Sequence, residues 1–257
     1  MSLVLYHHDK STCSQKVRIC LAEKGVEWDN RLVDLSNAEN LTPEYLAINP
    51  NGVVPAFVHN GRPIIESTVM CEYVDEVWPD EPKLSPEDPA ERADMRAWLR
   101  FIDEVPSMAV RVPSFQNRFL DRFKAMSEEE YAAFREQNTL RREFFMRLNR
   151  TGFSDQEYDN SIRQLEMTVA RIETALANGP WLVGDQYTIA DICVAPSIDR
   201  MEDLGYEGIW EDGEHPRVMA WFRAMKARPA YRTAYYDGAR FSEIYPELNL
   251  GRSKPAA

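Results

Sequence analysis

Hydrophobic positions divide the chain into two regimes. Up to about residue 77, short apolar runs alternate with amphipathic stretches; beyond residue 90, apolar positions recur almost continuously at helical spacing. Leu3 to Tyr6 (LVLY) predicts a short buried strand. From Ser14 to Lys24, Val17, Ile19, Cys20, Leu21 and Ala22 mix with Gln15, Lys16, Arg18 and Glu23, which predicts a helix stopped by Gly25. Trp28 to Val33 alternates as a second strand, and parallel pairing with the first requires a right-handed crossover. Asn49-Pro50-Asn51-Gly52 marks a turn, Val53 to His59 a strand, Asn60-Gly61 a hairpin turn and Pro63 to Ile65 its partner strand. Glu66 to Val77 carries Val69, Met70, Tyr73, Val74 and Val77 along one side of a helix. The predicted order is βαβ followed by ββα.

Pro79, Pro82, Pro86 and Pro89 fall within eleven residues, a spacing that predicts a linker. The chain after it reads as all-α. Met95, Trp98, Leu99 and Ile102 mark a helix over 91–105. Residues 106–150, rich in Arg and Phe, read as two helices or an excursion. Ile162, Leu165, Val169, Ile172 and Leu176 mark a long helix ended by Gly179-Pro180. Thr188-Ile189-Ala190-Asp191 is a capping box with Asp in place of Glu. Val218, Trp221, Phe222 and Met225 mark a last core helix, and the tail after Tyr235 is aromatic and less regular. The resulting expectation is an α/β unit over 1–80, a proline-rich linker over 81–90 and an all-helical unit over 91–257.

Composition narrows the function. With 42 acidic and 30 basic residues the formal charge is −12, which argues against a general nucleic-acid or anionic-membrane surface. The four cysteines, Cys13, Cys20, Cys71 and Cys193, show neither CxxC nor metal-ligand spacing, so no metal site is expected. The N-terminus lacks a signal-peptide pattern, and no stretch reaches transmembrane length. The reading is a cytoplasmic protein with reduced thiols.

The candidate chemistry lies in three short motifs. Ser11-Thr12-Cys13-Ser14 precedes a helix, whose N-terminus offers unpaired N–H groups and a partial positive charge that stabilise a thiolate. The spacing Ser11-x-x-Ser14 is that of a redox CxxC with both sulfurs replaced by oxygen, so the loop suits holding another molecule's thiolate; the alternative is simple N-capping. Cys13 is either a nucleophile, a redox sensor or packing. Val54-Pro55 ends an extended segment at an edge, where a cis bond would leave the Val54 backbone free for a ligand. Glu66-Ser67 at a helix start either caps it or holds an amino acid's charged groups. His7 and His8 end the first strand close to the loop, as rim residues or as a general acid. Arg141, Arg142, Arg147 and Arg150 read as a solvated helix face.

STCSQKVRICLAEKG, NPNGVVPAFV, the EST run and GDQYTIADI together resemble the cytosolic glutathione transferases. The resemblance implies a thioredoxin-like N-terminal domain, an all-α C-terminal domain and glutathione as co-substrate. It implies that Val54 beside a cis Pro55 binds the cysteinyl backbone, and that Glu66 and Ser67, with Asn51 nearby, hold the γ-glutamyl end. In serine-type members the thiol-contacting hydroxyl falls at Ser11, in some relatives at Ser14. The chain departs from the family at Gly52-Val53, where many members carry Lys or Gln. LVLY, NPNGVVPAF, ESTVMCEYVDEVWPD and RADMRAW are similar to a narrower group, the bacterial β-etherases that cleave lignin-derived aryl ethers. That likeness implies a small aromatic electrophile, a phenolate leaving group and a homodimer or a heterodimer with a related subunit. It also implies a pocket closed by Phe115, Phe119, Phe123, Phe134, Phe144, Phe145 and Met146, although such residues equally pack extra helices. Asp103 and Glu104 fall where members often reach the partner's glutathione; a solvated charge pair is the alternative. Isomerisation or dehalogenation of another electrophile, or a weakly active subunit of a heterodimer, remain open.

Overall fold

A four-stranded sheet in the order β2-β1-β3-β4 organises the N-terminal part of the protein, seen in a computed structural model that describes residues 2–80, 82–211 and 213–245. β1 (Leu3–His7) alternates inward Leu3, Leu5 and His7 with half-exposed Val4 and Tyr6. The chain crosses over through α1 (Thr12–Glu23) to β2 (Asp29–Leu32), which lies parallel to β1 with Val4 opposite Asp29. A 3₁₀ turn at Glu39–Leu41 and the short α2 (Pro43–Leu46) lead to β3 (Ala56–His59), antiparallel to β1, and β4 (Arg62–Ile64), antiparallel to β3. β3 starts later than the apolar run at Val53 predicts, because Pro55 has no N–H to donate to the ladder; the Val54–Pro55 bond is cis. α3 (Ser67–Val77) closes this thioredoxin-like domain.

The C-terminal domain is helical. α4 (Pro89–Glu104) begins at the last proline of the predicted linker, with Asp88 accepting from the N–H groups of Ala90 and Glu91. Proline at the first helical position sacrifices no bond there. Residues 106–150 form five helices rather than two: α5 (Pro106–Ala109), α6 (Arg111–Arg118), α7 (Leu120–Lys124), α8 (Glu128–Gln137) and α9 (Arg142–Leu148). They enclose a small core of their own, in which the rings of Phe123, Tyr131, Phe144, Phe145 and Phe153 meet edge to face around buried Leu148. α10 (Asp155–Ala175), α11 (Ile189–Asp203), α12 (Pro216–Ala227), α13 (Pro229–Ala234) and α14 (Phe241–Ile244) complete the domain. The irregular tail expected after Tyr235 thus includes a short helix, while residues 246–257 of the predicted helical unit, and Glu81 of the predicted linker, lie outside the described residues.

One hydrophobic cluster runs through both domains, from Leu5 and Phe57 to Trp221 and Phe222. α1 is its hinge of contact, packed against α3 on one side and against α11 and α13 on the other. That sandwich buries even its polar residues. Gln15 donates to the Ala239 carbonyl (3.1 Å), Arg18 to that of Ala234 (2.9 Å), and Lys16 to Asp103 (3.0 Å). Burial alone would lower the Lys16 pKa; its neighbours Cys13 and Asp103 outweigh burial and raise it.

Candidate active site

The end of β1 and the start of α1 build the first wall of the site. Ser11 is the N-cap of α1, its hydroxyl accepting from the Ser14 N–H at 3.3 Å. Ser14 lies one turn in and is fully buried, and its hydroxyl accepts from the His8 N–H at 3.3 Å. Ser11, Thr12 and Cys13 line a cavity of about 170 Å³; Ser14 does not. Cys13 is half-buried with a free thiol. Cys193 is buried, which pushes its thiol well above the ordinary value.

The second wall is the loop before β3. Tyr45 Oη and Asn49 Nδ2 both donate to the Val53 carbonyl at 2.7 Å, and Asn40 Nδ2 donates to that of Gly52 at 2.6 Å. Gly52 has φ +60°, and a Cβ there would stand 2.9 Å from Leu41 Cδ2, so Lys or Gln at this position would strain the loop. Thus held, Val54 lines the same cavity as Ser11, and among the described residues its backbone N–H and C=O carry no hydrogen bond. Buried Pro55 follows behind it. Asn51, Glu66 and Ser67 form a separate ledge outside the cavity lining. Asn51 Nδ2 donates to Glu66 Oε1 at 3.1 Å, and Glu66 precedes α3 with φ +69°. A non-glycine residue in that region stores strain, on the order of 1–3 kcal/mol, and such strain concentrates at functional sites. Thr68 Oγ1 donates to Asp103 Oδ2 at 2.7 Å, so Asp103 is engaged within its own chain, and Glu104 pairs with Arg100.

The excursion supplies the far wall. Phe115, Phe119, Phe123, Phe134 and Phe145 line the cavity; Phe144 packs behind them and Met146 is exposed. Phe241 of α14 also lines it, held by Asp203, whose carboxylate accepts from the N–H groups of Phe241 and Ser242 at 2.9 Å. Arg142, Arg147 and Arg150 form exposed ion pairs as a solvated face would, with Glu136, Glu157 and Glu128. Arg141 differs: it lines the cavity together with Arg111. Nothing in the local pattern separates it from the others, since the four arginines fall in one stretch of like composition. Asn40, Tyr45 and Phe241 also escaped the sequence reading; only the NPNG turn hinted at how the loop is tied.

The two histidines part company. His7 is buried away from the cavity, bonded to Asn30 through Nε2 and accepting from Arg18 at Nδ1 (3.0 Å). His8 lines the cavity, and burial, helped by the charge of Lys10, pushes its pKa down to about 4, so it is a neutral imidazole and not a cationic acid. A pH effect on stability follows. The unfolded chain protonates His8 near pH 6.5 while the folded chain resists, so this group's contribution is present above pH 6.5 and is lost as pH falls toward 4. Between pH 7 and 5 the expected loss is ~2 kcal/mol. Urea titrations of wild type and His8→Gln at both pH values check it: the difference between the two proteins should change by that amount.

Residues 10–77 match the family model for the glutathione S-transferase N-terminal domain and residues 155–224 that for the C-terminal domain. Protein LigF of Sphingobium sp. (strain NBRC 103272 / SYK-6) is 33% identical over 247 residues, covering 93% of this chain and 95% of that one. The chain belongs to the glutathione S-transferase family. It is an enzyme of that family, and glutathione is its co-substrate. The crystal structure of β-etherase LigF superposes with a TM-score of 0.83 at 32% identity, covering 91% of this chain and 99% of that chain. A tetrachloro-p-hydroquinone reductive dehalogenase of Sphingobium chlorophenolicum is 27% identical over 243 residues, covering 90% of this chain and 94% of that one. Glutathione transferase F7 of Populus trichocarpa shares the fold, with a TM-score of 0.72 at 23% identity over 90% of this chain and 97% of that chain.

Proposed function

We propose that the enzyme uses glutathione thiolate to displace a phenolate from a β-aryl ether ketone of the lignin-derived type. The observation that carries the reading is one continuous cavity lined both by Ser11 and Val54 and by a wall of phenylalanines. In this reading the Ser11 hydroxyl and the first-turn N–H groups of α1 hold the thiolate. The unbonded Val54 backbone pairs with the cysteinyl residue, Pro55 shapes that edge, and Glu66 and Ser67 at the start of α3 take the γ-glutamyl end with Asn51 orienting Glu66. The thiolate attacks the carbon bearing the ether oxygen. A C–S bond forms as the C–O bond breaks, and the phenolate leaves with the electron pair and takes a proton from solvent. The adjacent ketone delocalises charge in the transition state, so the protein's contribution is a ready thiolate and orientation. The likeness to LigF supports this substrate class. We read the enzyme as cytoplasmic, and as a homodimer or a heterodimer with a related subunit.

Mass spectrometry after incubation with glutathione and a guaiacyl β-aryl ether ketone tests the proposal. Free guaiacol with a glutathione thioether of the ketone is the expected outcome. Glutathione binding without either product would move the enzyme to another electrophile, as dehalogenation by the related Sphingobium enzyme illustrates.

A further inference from the structure

The cavity carries cationic side chains in its lining that this displacement does not use. Arg111, Arg122, Arg141, Arg200 and Lys10 line it, and no carboxylate is among the described residues that do so, in a chain of net charge −12. Two of the arginines are engaged elsewhere. Arg200 pairs with Asp203 (3.5 Å) and lies over the Phe241 ring, and Arg122 donates to the Ser36 carbonyl (2.8 Å). Among the described residues, Arg111 reaches only the thioether of Met108 (3.3 Å) and the face of the Phe144 ring. The Arg141 guanidinium has no hydrogen bond or ion pair among the described residues. The charge of Arg111 is felt at Arg141, and Cys13 lies near both.

Two neighbouring guanidinium groups, partly withdrawn from water and lacking a counter-anion, carry both a desolvation cost and a mutual repulsion. A bound anion relieves both. Guanidinium forks match the two oxygens of a carboxylate better than the single oxygen of a phenolate. The phenylalanine wall beside them suits an arene. We propose that Arg111 and Arg141 form an anion subsite that binds a carboxylate carried on the aromatic part of the electrophile. The proposal rests on the transferase reading above and adds to it a preference for electrophiles that carry an aryl carboxylate. Glutathione's own glycine carboxylate offers the same chemistry, and the test separates the two sources.

Calorimetric titration with three thioethers is the experiment: S-(4-carboxyphenacyl)glutathione, S-phenacylglutathione, and S-phenacylglutathione amidated at its glycine. Wild type should bind the first roughly tenfold or more tightly than the second. Arg141→Gln and, independently, Arg111→Gln should bring that ratio close to one, while Arg141→Lys should keep part of it. Circular dichroism of each variant guards against a folding defect, and the two separate substitutions keep the test alive if one fails to fold. Equal wild-type affinity for the first two thioethers overturns the subsite and leaves the transferase reading standing. If the arginine substitutions instead erase only the effect of glycine amidation, the pair serves glutathione and the proposal falls. Failure of all three thioethers to bind overturns the transferase reading and the subsite together.

Discussion

Replacing Ser11 with alanine is expected to lower kcat/KM by about a hundredfold, the usual consequence of losing one preorganised donor to a developing or resting anion. The pKa of bound glutathione, read from the ultraviolet absorbance of its thiolate, should rise by about one to two units as that donor is lost. Part of the change is structural, because Ser11 also accepts from the Ser14 N–H as the N-cap of α1, and loss of a cap costs ~1 kcal/mol. Ser11→Thr retains both the hydroxyl and the cap and should restore most of the rate. Ser14→Ala provides the contrast. Its hydroxyl is turned inward to the His8 N–H, so its loss leaves a donor short of a partner at a cost of about 1–3 kcal/mol in stability, with the thiol's pKa unmoved. The opposite pattern, a shifted thiol in Ser14→Ala and none in Ser11→Ala, would sink the assignment. Cys13→Ala should keep most turnover; its inactivity would restore Cys13 as a nucleophile.

That contrast turns on a helix boundary. The apolar pattern starts α1 at Ser14, whereas the helix begins at Thr12, and those two residues decide which serine caps and which is interior. Periodicity records how apolar a face is, not where its first turn closes. The βαβ–ββα order of elements along the chain, the hairpin, α3 and the capping box at Thr188 were legible because each rests on local rules of alternation, turn residues and caps. The burial of Gln15, Lys16 and Arg18 was not, since it needs elements more than eighty residues away to cover α1 from the other side. The aromatic run of the excursion pointed either to a pocket wall or to the packing of extra helices, and the structure shows most of its rings doing both, in a small core that also lines the cavity. Arg141 could not be told from Arg142, Arg147 and Arg150, because only the fold shows which of them lacks a glutamate within reach.

Asp191→Ala should destabilise the protein by about 3–5 kcal/mol, a large share of the 5–15 kcal/mol typical of a folded protein. The carboxylate is fully buried at the start of α11. One oxygen accepts from the Leu182 N–H (3.0 Å) and the Trp221 indole N–H (2.9 Å), the other from the Thr188 N–H (3.0 Å) and hydroxyl (3.3 Å). It therefore ties together the loop before α11, the cap of α11 and the core tryptophan of α12. Alanine leaves these donors in a dry interior with nothing to accept from them. Burial pushes the Asp191 pKa up to about 6, so at neutral pH the ionised form is held at a cost that its hydrogen bonds offset only in part. The sign follows: the folded chain binds this proton before the unfolded chain does, so the cost is relieved as pH falls from about 6 toward 4. Asp191→Asn keeps the shape and one acceptor but sets an amide N–H₂ against donors, and should cost about half as much as alanine with no such pH dependence. Urea midpoints of the three proteins at pH 7 and pH 5 measure both effects. An alanine variant within about 1 kcal/mol of wild type would mean that water has taken over the four donors and that α11 and α12 are not joined through this carboxylate.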